Sequence, residues 1–165
     1  VSVVRRGGET RADTVVNGLE TLSGGAVFPA SGSDWVMVHD AARPFVDPAD
    51  IRKLRDEVLS AGHGAILAMP MADTVKEASP DRRILATRDR KSLWRAATPQ
   101  AFRLSELLSA LRRGTEGVTD ESSAMERTGH PVSVVPGSTL NFKITTPDDA
   151  LIAEAIAESR LRKHP

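Results

Sequence analysis

Residues 1 to 70 alternate short apolar runs with amphipathic stretches, and this alternation restricts the fold more than any other feature of the chain. VSVV (1–4) has the length and composition of a short buried strand. ADTVVNGLETLS (12–23) carries apolar residues at 15, 16, 19 and 22, the spacing of one helical face. WVMVH (35–39) is a continuous apolar run of strand length. Asp47 and Pro48 supply an N-cap and a first-turn proline. The helix they open, roughly 48–61, places Ile51, Leu54, Val58 and Leu59 on one face. GAILAMP (64–70) then reads as another buried strand. Strand, helix, strand, helix, strand in this order predicts an α/β fold, a mostly parallel sheet with helices on its faces.

The middle of the chain breaks the pattern. DTVKEASPDRRILATRDR (73–90) alternates apolar and charged residues around a Ser-Pro-Asp turn, which predicts a solvent-exposed hairpin or arm. An isolated hairpin is marginal in water, so this one is expected to pack on a partner chain. Helical spacing returns in LSELLSALRR (104–113), and TDESSAMERTG (119–129) reads as a capped helix closed by Gly129. VSVVP (132–136) and LNFKI (140–144) read as strands. Thr146-Pro147-Asp148-Asp149 forms a capping box ahead of a last amphipathic helix over 147–160, and the tail RLRKHP is expected to fray.

At 165 residues the chain has the length of one domain and can bury a core without metal or disulfide support. Cysteine is absent, which excludes disulfides, thiolate metal sites and cysteine nucleophiles and fits a reducing compartment. The 22 basic and 22 acidic residues balance, against the basic excess usual in nucleic-acid binders. No apolar run approaches the roughly 18 residues of a membrane span, and no signal-like segment opens the chain. The expectation is a cytoplasmic protein with neither nucleic-acid nor membrane partners.

In an open parallel sheet, ligands bind at the carboxyl ends of the strands. Three features collect there: the loop RRGGETRAD (5–13), Asp40 with Arg43, and Asp73 with Thr74. Two glycines at 7 and 8 either make a tight turn or let backbone approach a flat ligand, beside helix amides that accept anionic or carbonyl groups. Asp40 and Arg43 form a local salt bridge, or else a shelf kept open by Ala41 and Ala42. On such a shelf the acid takes sugar hydroxyls or a hydrated cation, and the guanidinium takes phosphate. Lys143 is an edge lysine extending to solvent or a point charge for phosphate. Arg90 and Thr98, flanking Trp94, read as surface charge and turn. His39 reads as structural, and no histidine cluster suggests zinc.

Six motifs carry a resemblance: GGETRADTVVNGL (7–19), VHDAARPFV (38–46), DTVK (73–76), DR followed by LWRAATPQAF within 89–102, TDESSAME (119–126) and FKITTPDD (142–149). In this order and spacing the chain resembles the 2-C-methyl-D-erythritol 4-phosphate cytidylyltransferase family. The resemblance implies a Rossmann-like nucleotidyltransferase three-layer sandwich, one domain over 1–165, with a β-arm at about 73–97 that builds a homodimer. It implies transfer of CMP from CTP to 2-C-methyl-D-erythritol 4-phosphate with Mg2+, in the cytoplasm or, for a plant protein, the plastid stroma. Gly8, Glu9 and Thr14 would line the cytosine pocket, the family more often having Asp at the position of Glu9. Asp40 and Ala41 would meet the ribose, with Asp40 also near the second substrate. Arg43, Thr74 and Thr119 would hold methylerythritol phosphate, and Arg90 and Thr98 would reach the same substrate across the dimer. Lys143, between the phosphates of both substrates, and Arg90 are the expected catalytic residues.

The family opens with a strand and a glycine-rich loop of the form A-A-G-x-G-x-R, followed by a lysine, and no stretch here matches them. A truncated chain without that head is expected to turn over little or not at all. Two other readings stand beside this one: a cytidylyltransferase acting on ribitol 5-phosphate, and a non-catalytic dimerisation or binding remnant.

Overall fold

The computed structural model describes residues 1–25, 29–114 and 116–163. Helix α1, Arg11–Ser23, starts at an N-cap, Thr10, whose side chain and that of Asp13 cap each other's backbone amides. Strand β1 covers Trp35–Val38. Helix α2, Pro48–Ala61, opens on the Asp47 side chain, which accepts from the Ala49 amide at 2.7 Å, and closes at Gly62 with φ 73. That left-handed closing turn is one that glycine adopts without strain. Strand β2, Gly64–Pro70, follows. The predicted bounds of α2 and β2 therefore hold.

Strands β3, Val75–Ala78, and β4, Ile84–Arg88, pair only with each other, as an antiparallel hairpin. A 3-10 turn at Arg90–Ser92 leads into β5, Trp94–Arg103, and directly on to α3, Leu104–Arg112. Helix α4, Glu121–Arg127, strand β6, Val132–Pro136, and helix α5, Pro147–Lys163, complete the described order. The tail expected to fray is helical as far as Lys163, and 164–165 lie outside the described residues.

The main sheet runs β1-β5-β2-β6. Strands β1, β2 and β6 point the same way, and β5 runs against its neighbours β1 and β2. Successive side chains of a strand face opposite sides, and β2 feeds two cores accordingly. Ile66 joins Phe102, Leu104, Leu107, Leu111, Met125 and Leu19 on the α1/α3/α4 face. Ala65, Leu67 and Met69 join Leu54 and Val58 of α2 on the other. Phe102 lies so close over Gly64 that a Cβ there would come within 2.2 Å of its ring, which requires glycine at the start of β2.

Three expectations are corrected. VSVV is not a strand: its residues are exposed and join neither sheet, and three valines around a serine form a strand only when they pair with a neighbouring one. LNFKI is also not a strand but an irregular loop. Its polar groups bond to the Asp40 turn and to β5, Ile144 N–H to Ala42 O at 2.9 Å and the Asn141 side-chain amide to Thr98 O at 2.8 Å. Finally, the hairpin ends at Arg88, and Trp94–Ala96 are ladder residues of β5 beside β2. A step of two residues on β2, Ile66 to Ala68, faces a step of four on β5, Gln100 to Ala96. The bulged stretch holds Pro99, which has no amide hydrogen to give a ladder. Bulges re-aim side chains, and this one sits where β1 ends, placing Thr98 against Asp40.

Candidate active site

Asp40 stands two residues past the end of β1 and begins a turn closed by Arg43 N–H to Asp40 O at 3.0 Å. The turn folds Arg43 back, so its Nε stands 3.7 Å from Asp40 Oδ2. The Asp40 amide donates to Thr98 Oγ1 at 2.9 Å, and Thr98 Oγ1 also meets His39 Nδ1 at 3.0 Å. His39 Nε2 lies 3.0 Å from Arg43 O, so the ring braces this turn, in keeping with its structural reading.

Two further cations come to the same carboxylate from distant parts of the chain. Arg11 Nε donates to Asp40 Oδ1 at 3.0 Å, and Lys143 Nζ lies 3.2 Å from Oδ2. The other guanidinium nitrogens of Arg11 donate to both oxygens of Glu121, at 2.7 and 2.9 Å. Two-pronged pairing of this kind fixes the plane of the guanidinium. The loop that presents Lys143 is anchored where Arg43 donates to Asn141 O at 2.8 Å and where Asp50 accepts from Ser138 N–H at 2.7 Å.

Exposure sorts these charges. The carboxylates lie behind, with side chains 13% exposed at Asp40 and 1% at Glu121, while Arg11 and Lys143 stand in front at 36% and 42%. Burial pushes the Asp40 carboxyl up, but the hydrogen bonds and charges of Arg11 and Lys143 outweigh it and hold the group below the ordinary carboxylate range. The hydrogen bond to Glu121 leads the causes that lift Arg11 above the usual guanidinium value. Burial lowers Arg43, with Asp40 partly opposing, and a guanidinium remains charged throughout.

Two cavities adjoin at this cluster. The smaller, about 230 Å3, is bounded by Arg43, Thr98, Gln100 and Thr119, and the larger, about 450 Å3, by Thr14, Val38, Ala41 and Ala42. Arg11, Asp40 and Lys143 line both. The expected residues therefore divide. Asp40, Arg43, Thr98, Thr119 and Lys143 meet in the smaller cavity, and Thr14, Asp40, Ala41 and Lys143 in the larger. Gly8 stands behind Thr14, its amide donating to Thr14 Oγ1 at 2.9 Å. A Cβ on Gly8 would come within 2.4 Å of Asp13, so this approach needs glycine. Glu9 is exposed and lies outside both linings.

Thr74 and Arg90 are elsewhere, in a concavity of about 460 Å3 on the hairpin with Thr87, Arg88 and Asp89. Arg90 donates there to Ala72 O. Thr98, expected with Arg90 to reach the substrate across the dimer, is instead buried against Asp40 and His39 of its own chain. The β5 bulge is the reason.

Sequence reasoning missed Arg11, Glu121, Gln100 and Asn141. One signal pointed to Arg11: it is the first residue of α1, where the helix dipole disfavours a cation, so something outside the helix must hold it there. Glu121, the first residue of α4, carried no comparable signal, since an acid suits that position.

No group of three His, Asp or Glu side chains converges among the described residues, and both Asp40 oxygens already face cations. The residues present do not fit a magnesium site built by protein side chains. No described helix is long and apolar enough to cross a membrane.

The sequence profile of IspD, 2-C-methyl-D-erythritol 4-phosphate cytidylyltransferase, matches residues 1–159. The chain is 41% identical over 160 residues to the 2-C-methyl-D-erythritol 4-phosphate cytidylyltransferase of Nitrosomonas eutropha, covering 97% of this chain and 68% of that protein. It is 48% identical to the protein of that name from Paraburkholderia phymatum, covering 94% and 66%. Among solved structures it is similar to a 4-diphosphocytidyl-2C-methyl-D-erythritol synthase, with a TM-score of 0.82, 40% identity and coverage of 92% and 68%. The Francisella tularensis 2-C-methyl-D-erythritol 4-phosphate cytidylyltransferase follows at 0.78 and 38%, covering 90% and 68%. The chain spans about two thirds of the length of these relatives.

Proposed function

Because this chain belongs to the 2-C-methyl-D-erythritol 4-phosphate cytidylyltransferase family, we propose that its cleft serves cytidylyl transfer from CTP to 2-C-methyl-D-erythritol 4-phosphate. An oxygen of the polyol phosphate attacks the α-phosphorus of CTP in line. A new P–O bond forms, the bond from the α-phosphorus to the bridging oxygen breaks, and pyrophosphate leaves with that electron pair. The products are 4-diphosphocytidyl-2-C-methyl-D-erythritol and pyrophosphate. The attacking phosphate is already ionised near neutral pH, so no general base is needed, and catalysis rests on alignment and charge neutralisation.

The observation that carries this reading is the ridge common to the two cavities, with Arg11 and Lys143 forward and Asp40 behind. Two anions that repel each other need cations where they meet, and Lys143 borders both spaces. In this reading the larger cavity takes the nucleotide, with Thr14 and Gly8 toward the base, Glu9 beyond its rim, and Asp40 and Ala41 toward the ribose. The smaller takes the polyol phosphate between Arg43, Thr98 and Thr119. Magnesium would arrive on the phosphates of the nucleotide and on water. Thr74 and Arg90, grouped on the hairpin away from the cleft, fit delivery to the cleft of a second copy. The exposed Ile84 and Leu85 on the same hairpin support a homodimer through this arm.

Pyrophosphate release tests the proposal, using this chain and any longer product of the same reading frame, with CTP and either methylerythritol phosphate or ribitol 5-phosphate. Release with methylerythritol phosphate by at least one of these proteins, falling at least about 100-fold in its Lys143→Ala variant, is expected. Release with ribitol 5-phosphate alone, or unchanged release in Lys143→Ala, overturns it.

A further inference from the structure

Arg11 combines features that helix formation alone does not account for. It occupies the first position of α1, where a cation opposes the helix dipole. It is also unnecessary for docking that helix. Val15, Val16, Leu19 and Leu22 already pack α1 against the core containing α3, and Glu20 pairs with Arg112 at 2.6 Å. Yet three of its N–H groups are committed, one to Asp40 and two to Glu121. Glu121 is 1% exposed, and a carboxylate so buried is tolerated only when it is paired. Its partner is Arg11, at 2.7 Å.

We propose that Arg11, clamped by Glu121, is a positioning residue for group transfer: it fixes the Asp40 carboxylate on the ridge between the two cavities, so that Lys143 and Arg43 keep their places beside the meeting phosphates. The inference rests on the function proposed above. The bidentate pair locks the guanidinium plane to α4. The Nε hydrogen bond then sets the rotation of Asp40, whose other oxygen faces Lys143 and Arg43. Without Arg11, Asp40 is free to turn toward either remaining cation, drawing it out of line. Misplacement of a positioned group by about 1 Å costs on the order of 100-fold in rate.

The groups facing Asp40 are Arg11 from α1, Arg43 from its own turn, Lys143 from the loop before α5, and the Thr98 hydroxyl from β5. Glu121 of α4 acts through Arg11, Asp120 lines the smaller cavity, and His39 precedes Asp40 in the chain. The remaining cations keep the carboxylate ionised near neutral pH, so removing Arg11 changes its orientation there and its titration at low pH.

Arg11→Met, Arg11→Lys and Glu121→Gln test this, with Arg112→Gln as a control that breaks the other ion pair of α1. Carbon-detected NMR follows the Asp40 carboxyl through acid titration without any turnover. In Arg11→Met its midpoint moves up, while Arg112→Gln leaves it unchanged. In the pyrophosphate assay, kcat of Arg11→Met falls by about 10- to 100-fold with both KM values within about threefold. Arg11→Lys recovers part of the loss, and Glu121→Gln, which keeps the size of the side chain, loses about tenfold with a near-normal Tm. If Arg11→Met does not fold, the last two variants carry the test. The proposal is overturned if the Asp40 midpoint and kcat stay at wild-type values, or if only Tm falls. Should neither this chain nor any longer product of its reading frame show transfer, the functional reading fails, while the Asp40 titration still decides whether Arg11 holds that carboxylate.

Discussion

The β3–β4 hairpin and the junction at Asp40 both gather charge, in opposite ways. On the hairpin the pairs are local and wet: Asp81 with Arg83, and Glu77 with Arg88, all four side chains more than 40% exposed. Such pairs contribute about 0–1 kcal/mol each. At the junction, partners 29 and 110 residues apart in sequence close on carboxylates that are mostly or fully buried. Exposed local pairs suit a surface that meets something else, whereas the junction holds its own charges in a fixed geometry. Charge density alone therefore does not mark a site; what marks it is charge held by distant elements, with the cations turned outward.

The largest effect expected from this contrast is that of Asp40→Ala. It leaves Arg11, Arg43 and Lys143 facing one another without their shared anion. Removing one partner from a mostly buried ionic cluster costs about 3 kcal/mol, read as a lower midpoint in urea unfolding with an unchanged slope. Glu77→Ala on the hairpin lowers the unfolding free energy by less than about 1 kcal/mol. Equal losses from the two substitutions would erase the distinction between the regions.

The same contrast explains what could be read from the sequence. Helix α2 and strand β2 follow local cues, the Asp47-Pro48 start, Gly62 and an unbroken apolar run, and their predicted bounds match the structure. The hairpin likewise follows its Ser-Pro-Asp turn. Strand β5 was hidden because Thr98, Pro99 and Gln100 do not look like a central strand. The bulge accommodates Pro99, and buried Gln100 is satisfied by bonds to Asp120 and to the Ser122 amide. VSVV and LNFKI had strand composition but pair with neither sheet, which no local pattern reports. In the site, Asp40, Arg43 and Lys143 were visible because each stands out against an apolar or small-residue background. Arg11 and Glu121 acquire meaning only when the fold brings together positions 110 residues apart.

A smaller effect is expected when the hairpin is changed at an apolar position. Leu85 is 64% exposed, so Leu85→Asp leaves the unfolding free energy within about 0.5 kcal/mol of wild type. If the arm is the dimer contact, the same substitution converts a dimer into a monomer in sedimentation velocity. Unchanged sedimentation would show that the hairpin joins no second copy through this residue, and it would leave Arg90 and Thr74 without a cleft to serve.

The smallest effect separates a charge held by backbone from one held by other side chains. Asp149, in the first turn of α5, accepts from the amides of Thr145 and Thr146 at 2.9 and 2.8 Å, and these bonds pull its pKa down to about 2 from an ordinary 3.8. A carboxyl depressed on folding stabilises the fold above its unfolded pKa, and that contribution disappears as pH falls through the folded value. Asp149→Asn should therefore lower Tm slightly at pH 7, and the variant and wild-type curves should converge between pH 4 and 2. Asp40 is depressed as well, but by side-chain cations, so added salt weakens what holds it only so far as the ions reach the half-buried cluster. A separation of the Asp149→Asn and wild-type curves at pH 7 that persists in high salt would place this carboxyl under backbone control, and a separation lost on adding salt would put it in the same class as the exposed pairs of the hairpin.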